Sequence, residues 1–119
     1  MTKVGTFRRK DRLRKTSQFR RVYDGGGFYR KEFLILRSAR QHDGSTRIGI
    51  SISSRDIPLA SMRNRFKRII REAYRNNKAR LLAGYDIVMI VKGRPTGVIS
   101  LGRIESLFIA LCTKAKIIR

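Results

Sequence analysis

Residues 62–75 constrain this chain more than any other stretch. At about 100° per residue, Met62, Phe66, Ile69, Ile70 and Ala73 fall on one arc of a helix. Lys67, Arg68, Arg71, Arg75 and Lys78 fall on the opposite arc, with Asn64 among them. The apolar arc needs a packed layer to lie on, and a sheet can supply it. Solvated helix faces ordinarily mix signs to gain (i, i+4) pairs, yet Glu72 is the only acid here. A basic row that repels itself calls for an external anion, and a polyphosphate backbone fits best.

Composition points the same way. The 119 residues carry a net charge of +21, from 29 Lys and Arg against 8 acids. With 41% apolar residues the chain is no disordered basic tail. A chain of this length buries roughly two-thirds of its unfolded surface, in one domain. No apolar run approaches the roughly 18 residues of a membrane span. Met1-Thr2-Lys3-Val4-Gly5 lacks the apolar core of a signal peptide. No helix pairs a basic face with exposed Trp or Phe, so nucleic acid is favoured over a membrane surface. The single cysteine, Cys112, excludes an internal disulfide and a Cys-based zinc cluster. It reads as a buried residue of the last helix, in a reducing cytoplasm.

Residues 1–12 read as a flexible basic segment and 13–119 as a single RNA-binding domain. Leu13 to Tyr23 read as a short helix with Leu13, Phe19, Val22 and Tyr23 as apolar positions. Thr16 or Ser17 could cap it, and Asp24-Gly25-Gly26-Gly27 would stop it through positive φ. Phe33-Leu34-Ile35-Leu36 reads as a strand, and Gln41-His42-Asp43-Gly44-Ser45 as a turn. In the next strand Ile48, Ile50 and Ile52 alternate with Gly49, Ser51 and Ser53, whose small side chains let a helix or a ligand approach the backbone. Pro58 suits the first turn of the basic helix, which is expected to run to about Leu82, with Gly84 closing it. Residues 85–91 form the apolar run of a central strand. Ile104, Leu107, Phe108 and Leu111 mark a last amphipathic helix. Helix, two or three strands, helix, strand, helix makes one α+β layer structure with a single sheet.

No catalytic constellation emerges. His42 is the only histidine and lies in a turn, whereas a histidine-based ribonuclease needs a second proton-transfer partner. The acids Asp11, Asp24, Glu32, Asp43, Asp56, Glu72, Asp86 and Glu105 are scattered, with no pair at helix spacing, so a two-metal carboxylate site is unsupported.

Four ordered blocks resemble the bacterial ribonuclease P protein subunit along nearly the whole chain. They are Leu13-Arg14-Lys15-Thr16 with Phe19 and Val22-Tyr23; residues 47–53; Arg63-Asn64-Arg65 with Lys67-Arg68 and Arg71-Glu72; and residues 85–90. The resemblance implies an α-β-β-β-α-β-α fold on one four-stranded sheet, with a left-handed βαβ crossover (ribosomal protein S5 domain 2-like). It implies an endoribonuclease holoenzyme that removes the 5′ leader of precursor tRNA. The catalytic RNA and its Mg²⁺ would do the chemistry, and the protein would contribute no catalytic residue or metal site. Arg63, Asn64, Arg65, Lys67, Arg68, Arg71 and Arg75 would meet that RNA. Phe19, Tyr23, Phe33, Leu36, Ser51, Arg14 and Lys15 would line a cleft for the single-stranded leader, where aromatic rings stack on bases with little sequence preference. Cytoplasmic location, no membrane and no obligate protein partner complete the expectation. The sequence departs from the family at Ser54-Arg55-Asp56-Ile57-Pro58-Leu59-Ala60-Ser61, which replaces a lysine pair and a Gly-x-Ala approach to the helix. A ribosomal or other structural RNA-binding protein is the rival reading, because it would share the charge and size.

Overall fold

The computed structural model describes residues 9–41, 44 and 46–119. The elements run α1 (Thr16–Gly25), β1 (Gly27–Lys31), β2 (Leu34–Arg40), β3 (Arg47–Ile52), α2 (Ala60–Asn77), β4 (Tyr85–Val91) and α3 (Leu101–Lys114). The strands form one sheet in the order β1-β2-β4-β3. β3 and β4 are parallel, with α2 as the crossover between them, and the other pairs are antiparallel. This is the expected α+β order.

Side chains alternate between sheet faces, and the two faces are unequal. Leu34, Leu36, Ile48, Ile87, Met89 and Val91 pack under α2 and α3, against Phe66, Ile70 and Tyr74 and against Ile104, Phe108 and Leu111. Burying each such large side chain contributes about 1.5–3 kcal/mol, so this side carries most of the stability. The opposite face holds a smaller cluster of Leu13, Val22 and Val88, with Phe19, Tyr23, Ala39 and Ile90 packed around it.

Several boundaries differ from expectation. Leu13 is not helical: its N–H donates to the Ile48 carbonyl at 2.9 Å, and Arg12 bridges to Ile48 in parallel fashion. The residues before α1 thus lie as a strap along β3. The α1 cap is neither Thr16 nor Ser17. Instead Gln18 Oε1 accepts from the Arg14 and Lys15 N–H groups at 2.8 and 3.0 Å. Nor does α1 stop through positive φ, since Gly26 has φ −96°. Glycine is needed there because a Cβ would collide with the Val22 and Ser38 carbonyls. α2 ends at Asn77 and passes into a 3₁₀ turn over Lys78–Arg80. Gly84, at φ +90°, serves the turn into β4 instead. Pro58 lies just ahead of the helix, where Leu59 is the N-cap.

The flexible segment expected over residues 1–12 is corrected where it can be described. Arg9–Asp11 form a 3₁₀ turn, and Asp11 is fully buried and paired with Lys78 Nζ at 2.8 Å. Residues 1–8, and His42, Asp43 and Ser45 of the expected turn, lie outside the described residues.

Candidate nucleic-acid interface

α2 presents its basic arc away from the main core, as its periodicity dictates. Asn64, Arg65 and Arg68 are exposed, and Lys67, Arg71 and Arg75 are half-buried. The arginines divide by what they touch. Arg63 Nη1 donates to the Ile57 and Pro58 carbonyls, both at 2.8 Å, and so braces the loop leading into the helix. Arg65 Nη2 donates to the Ile99 carbonyl at 3.0 Å, across to the loop before α3. Arg75 pairs with Glu72 one turn back. Lys78, read from the sequence as part of the row, is bound to Asp11.

Lys67 and Arg71 face the strap. With Arg12, Leu13, Phe19, Ile48, Gly49 and Ile50 they line a groove of about 140 Å³. Burial lowers the Arg71 pKa, and the nearby Arg12 guanidinium lowers it further. Gathering three cations around one groove is unfavourable in isolation and favours an anion there.

The second surface lies where α1 crosses the sheet. Strand register sets two rows of side chains across the face beneath it: Phe28–Arg37–Val88–Gly49 and Arg30–Ile35–Ile90–Ser51. α1 covers the first row. The Phe19 ring sits on Gly49 so closely that a Cβ there would come within 2.5 Å of it. The Arg37 guanidinium lies 5.2 Å from the Tyr23 ring centroid and 5.6 Å from that of Phe28, and its Nη2 donates to the Tyr23 carbonyl at 2.8 Å. Arg37 Nε is buried without a hydrogen-bond partner among the described residues. The Phe28 ring is 55% exposed. In the second row Ser51 and Ile90 are half-buried and Arg30 is exposed. Arg14 and Lys15 stand exposed at the start of α1.

Two expected cleft residues are elsewhere. Leu36 is fully buried in the main core, and Phe33 packs edge-on against Phe66 at 6.1 Å, with Arg103 5.0 Å from its ring centroid. Both therefore lie on the α2–α3 side of the sheet. The cause is the two-residue period: Leu34 and Leu36 point one way, and Ile35 and Arg37 the other. A continuous apolar run conceals that phase. The charge at Arg37 and the alternation in Phe28-Tyr29-Arg30 were the available signals.

The sequence model of the family described as Ribonuclease P matches residues 7–116. The chain belongs to the ribonuclease P family. The ribonuclease P protein component of Natranaerobius thermophilus is 30% identical over 107 residues, spanning 90% of this chain and 91% of that one. That of Clostridioides difficile is 38% identical over 87 residues, 72% of this chain and 75% of the relative. The RNase P protein of Staphylococcus aureus shares the fold at TM-score 0.80 and 24% identity, over 92% of this chain and 98% of that one. The role that goes with the ribonuclease P family is that of an RNA-binding protein subunit of an endoribonuclease that processes tRNA.

Within that ribonuclease P framework, buried carboxylates lock the two surfaces together. Asp86 is fully buried. It accepts from Arg21 Nη2 at 2.6 Å, and from Arg47 Nε and Nη2, each at 2.8 Å. This ties α1 to β3 and β4. Asp11 and Lys78 tie the strap to the end of α2 in the same manner. Among the described residues no group of three or more His, Cys, Asp or Glu could hold a metal ion. No described helix is long and apolar enough to cross a membrane.

Proposed function

We propose that the outer face of α2 binds the catalytic RNA of ribonuclease P, and that the cleft beside α1 takes the 5′ leader of precursor tRNA. The RNA, with Mg²⁺ held by its own phosphates and those of the substrate, breaks the phosphodiester bond. The described residues do not fit a protein-held Mg²⁺: no three of their acids gather, and the buried carboxylates Asp11 and Asp86 already face Lys78, Arg21 and Arg47. What the protein does is bind and position. Lys67, Arg68 and Arg71, with Asn64, meet phosphates of the catalytic RNA, and Arg12 reaches the same anion from the strap. Phe19, Tyr23 and Phe28 offer ring surfaces to unpaired leader bases, and Ser51, Arg14 and Lys15 offer polar contacts alongside. The activity belongs in the cytoplasm, where a reduced Cys112 is stable.

The observation that carries this reading is the groove of Arg12, Phe19, Lys67 and Arg71, where the α1 cleft and the α2 row meet. One bound strand there can touch both surfaces. The purified protein alone should leave precursor tRNA intact with or without Mg²⁺. Combined with its RNA subunit, it should restore cleavage at low millimolar Mg²⁺. Cleavage by protein that has survived exhaustive nuclease treatment would overturn the assignment.

A further inference from the structure

A separate pocket of about 350 Å³ opens at the start of α2, between the loop before that helix and the loop joining β4 to α3. Its floor is Phe66, Ile57 and Ile99, and its lip is Leu59, Pro95 and Arg94. Both prolines of the chain, Pro58 and Pro95, line it. The walls are held from behind by guanidinium groups. Arg63 grips the Ile57 and Pro58 carbonyls, Arg65 grips that of Ile99, and Arg103 grips those of Thr96 and Val98. The pocket is thus built in advance, with little ordering left to be done on binding. Leu59 at its lip is 66% exposed, and Val98 beside it is 79% exposed. Apolar surface of that kind in a chain of net charge +21 calls for a ligand with an apolar face and negative charge nearby.

We infer that this pocket receives an unpaired nucleobase of the RNA that binds α2, with Arg94 against the adjoining phosphate. The inference rests on the proposed binding of the catalytic RNA by α2, and adds a stacking subsite to it. A flat base suits rigid walls of Pro58 and Pro95 with the adaptable thioether of Met62 between them, and the volume stands at the lower end of small-molecule sites. The pocket lies on the α2–α3 side of the sheet, away from α1, which assigns it to the RNA on α2 and not to the leader. A second copy of this chain would bring like charge against Arg94 and Arg63. The acid in the pocket, Asp56, is engaged by the Ser53 hydroxyl at 3.1 Å.

Leu59→Ser separates binding from folding, because Leu59 is the N-cap of α2 and serine is a preferred residue there. The variant should keep or raise the melting temperature. Its affinity for the transcribed catalytic RNA should fall about five-fold or more, with an unchanged dependence of log K on log salt, since no phosphate contact is lost. Arg94→Gln should instead lower that slope by about 1. Chemical probing of the RNA should show an unpaired base shielded by the wild type and exposed with Leu59→Ser. Wild-type affinity and shielding retained in Leu59→Ser would overturn the pocket assignment while leaving the α2 interface standing. Concentration-dependent dimers of the wild type, lost in Leu59→Ser, would assign the pocket to a second copy and overturn it as well. Failure of the wild type to bind the RNA at all would remove the α2 reading itself.

Discussion

The outer face of α2 and the α1 side of the sheet are both rich in arginine, yet they use it differently. On α2, Arg68 is exposed to solvent and Lys67 lines the groove that faces the strap. Beneath α1, Arg21 and Arg47 close on buried Asp86, and Arg37 is clamped between Tyr23 and Phe28. Both regions contribute to the long-range field that draws in RNA. Arg21, Arg37 and Arg47 use donors inside the protein, so beside α1 it is exposed side chains such as Arg14 and Lys15 that have donors to give to phosphate. The net charge of +21 therefore overstates the number of direct contacts. Five donors per guanidinium let one side chain brace backbone and carboxylate together, a task for which lysine is poorly shaped.

The sharpest break in this comparison is Asp86→Ala. It leaves Arg47 partly buried without its carboxylate and should cost about 3–5 kcal/mol of stability. The fall would be read as a lower urea midpoint, with binding of every RNA lost in parallel. Lys67→Ala with Arg68→Ala should do the reverse. The melting temperature should hold, while the log K against log salt slope for the catalytic RNA falls by about 1–2. An unchanged slope would mean that these side chains meet only water.

Tyr23→Ala probes the cleft alone. Loss of one stacking surface, worth roughly 1–3 kcal/mol per base, should lower holoenzyme affinity for precursor tRNA with several leader nucleotides and spare mature tRNA. Tyr23→Phe, which keeps the ring over Arg37, should behave as wild type. Phe19→Ala is the less clean probe, because that ring also covers Gly49. A precursor-to-mature ratio that stays constant in folded Tyr23→Ala would take Tyr23 out of the leader site.

The smallest expected effect concerns alkaline pH and the main core. Burial pushes the Cys112 thiol from its ordinary 9.0 up to about 12. The Tyr74 phenol is raised as well, by burial first and then by the charge of Asp11. Folding favours the neutral form of each, so their contribution is complete below about pH 9 and is lost as pH climbs towards 12. Urea midpoints should decline over that range, and less steeply in Cys112→Ala. Native Cys112 should resist alkylation at pH 8.

Much of this architecture was legible because it rests on period and punctuation. The α2 arc, the β3 alternation of Ile48, Ile50 and Ile52, and the apolar run of β4 each announce their element. The outward row of Asn64, Lys67 and Arg68 follows from the same arithmetic. What failed was phase and partnership. The unbroken apolar run around Phe33 and Leu36 has no visible alternation, so the sequence does not reveal that both face the main core. Nothing local reveals that Arg63 and Arg65, expected to meet the RNA, also brace the carbonyls of Ile57, Pro58 and Ile99, or that Lys78 of the basic arc pairs with the Asp11 carboxylate. Nothing local to Arg12 reveals that the neighbouring Asp11 is held by Lys78, 67 positions away.

The sheet order β1-β2-β4-β3 also sets a schedule for the growing chain. The strand that joins the two halves is the last one to be made. Until β4 leaves the ribosome, the β1–β2 hairpin and β3 have no common neighbour, and α2 has no finished floor on which to lay its apolar stripe. All of the basic row is translated before the surface that orients it exists. Assembly must therefore wait on pairings distant in sequence, which makes for slow closure of the fold. During that interval the nascent chain carries most of its positive charge without the shape that gives it a partner.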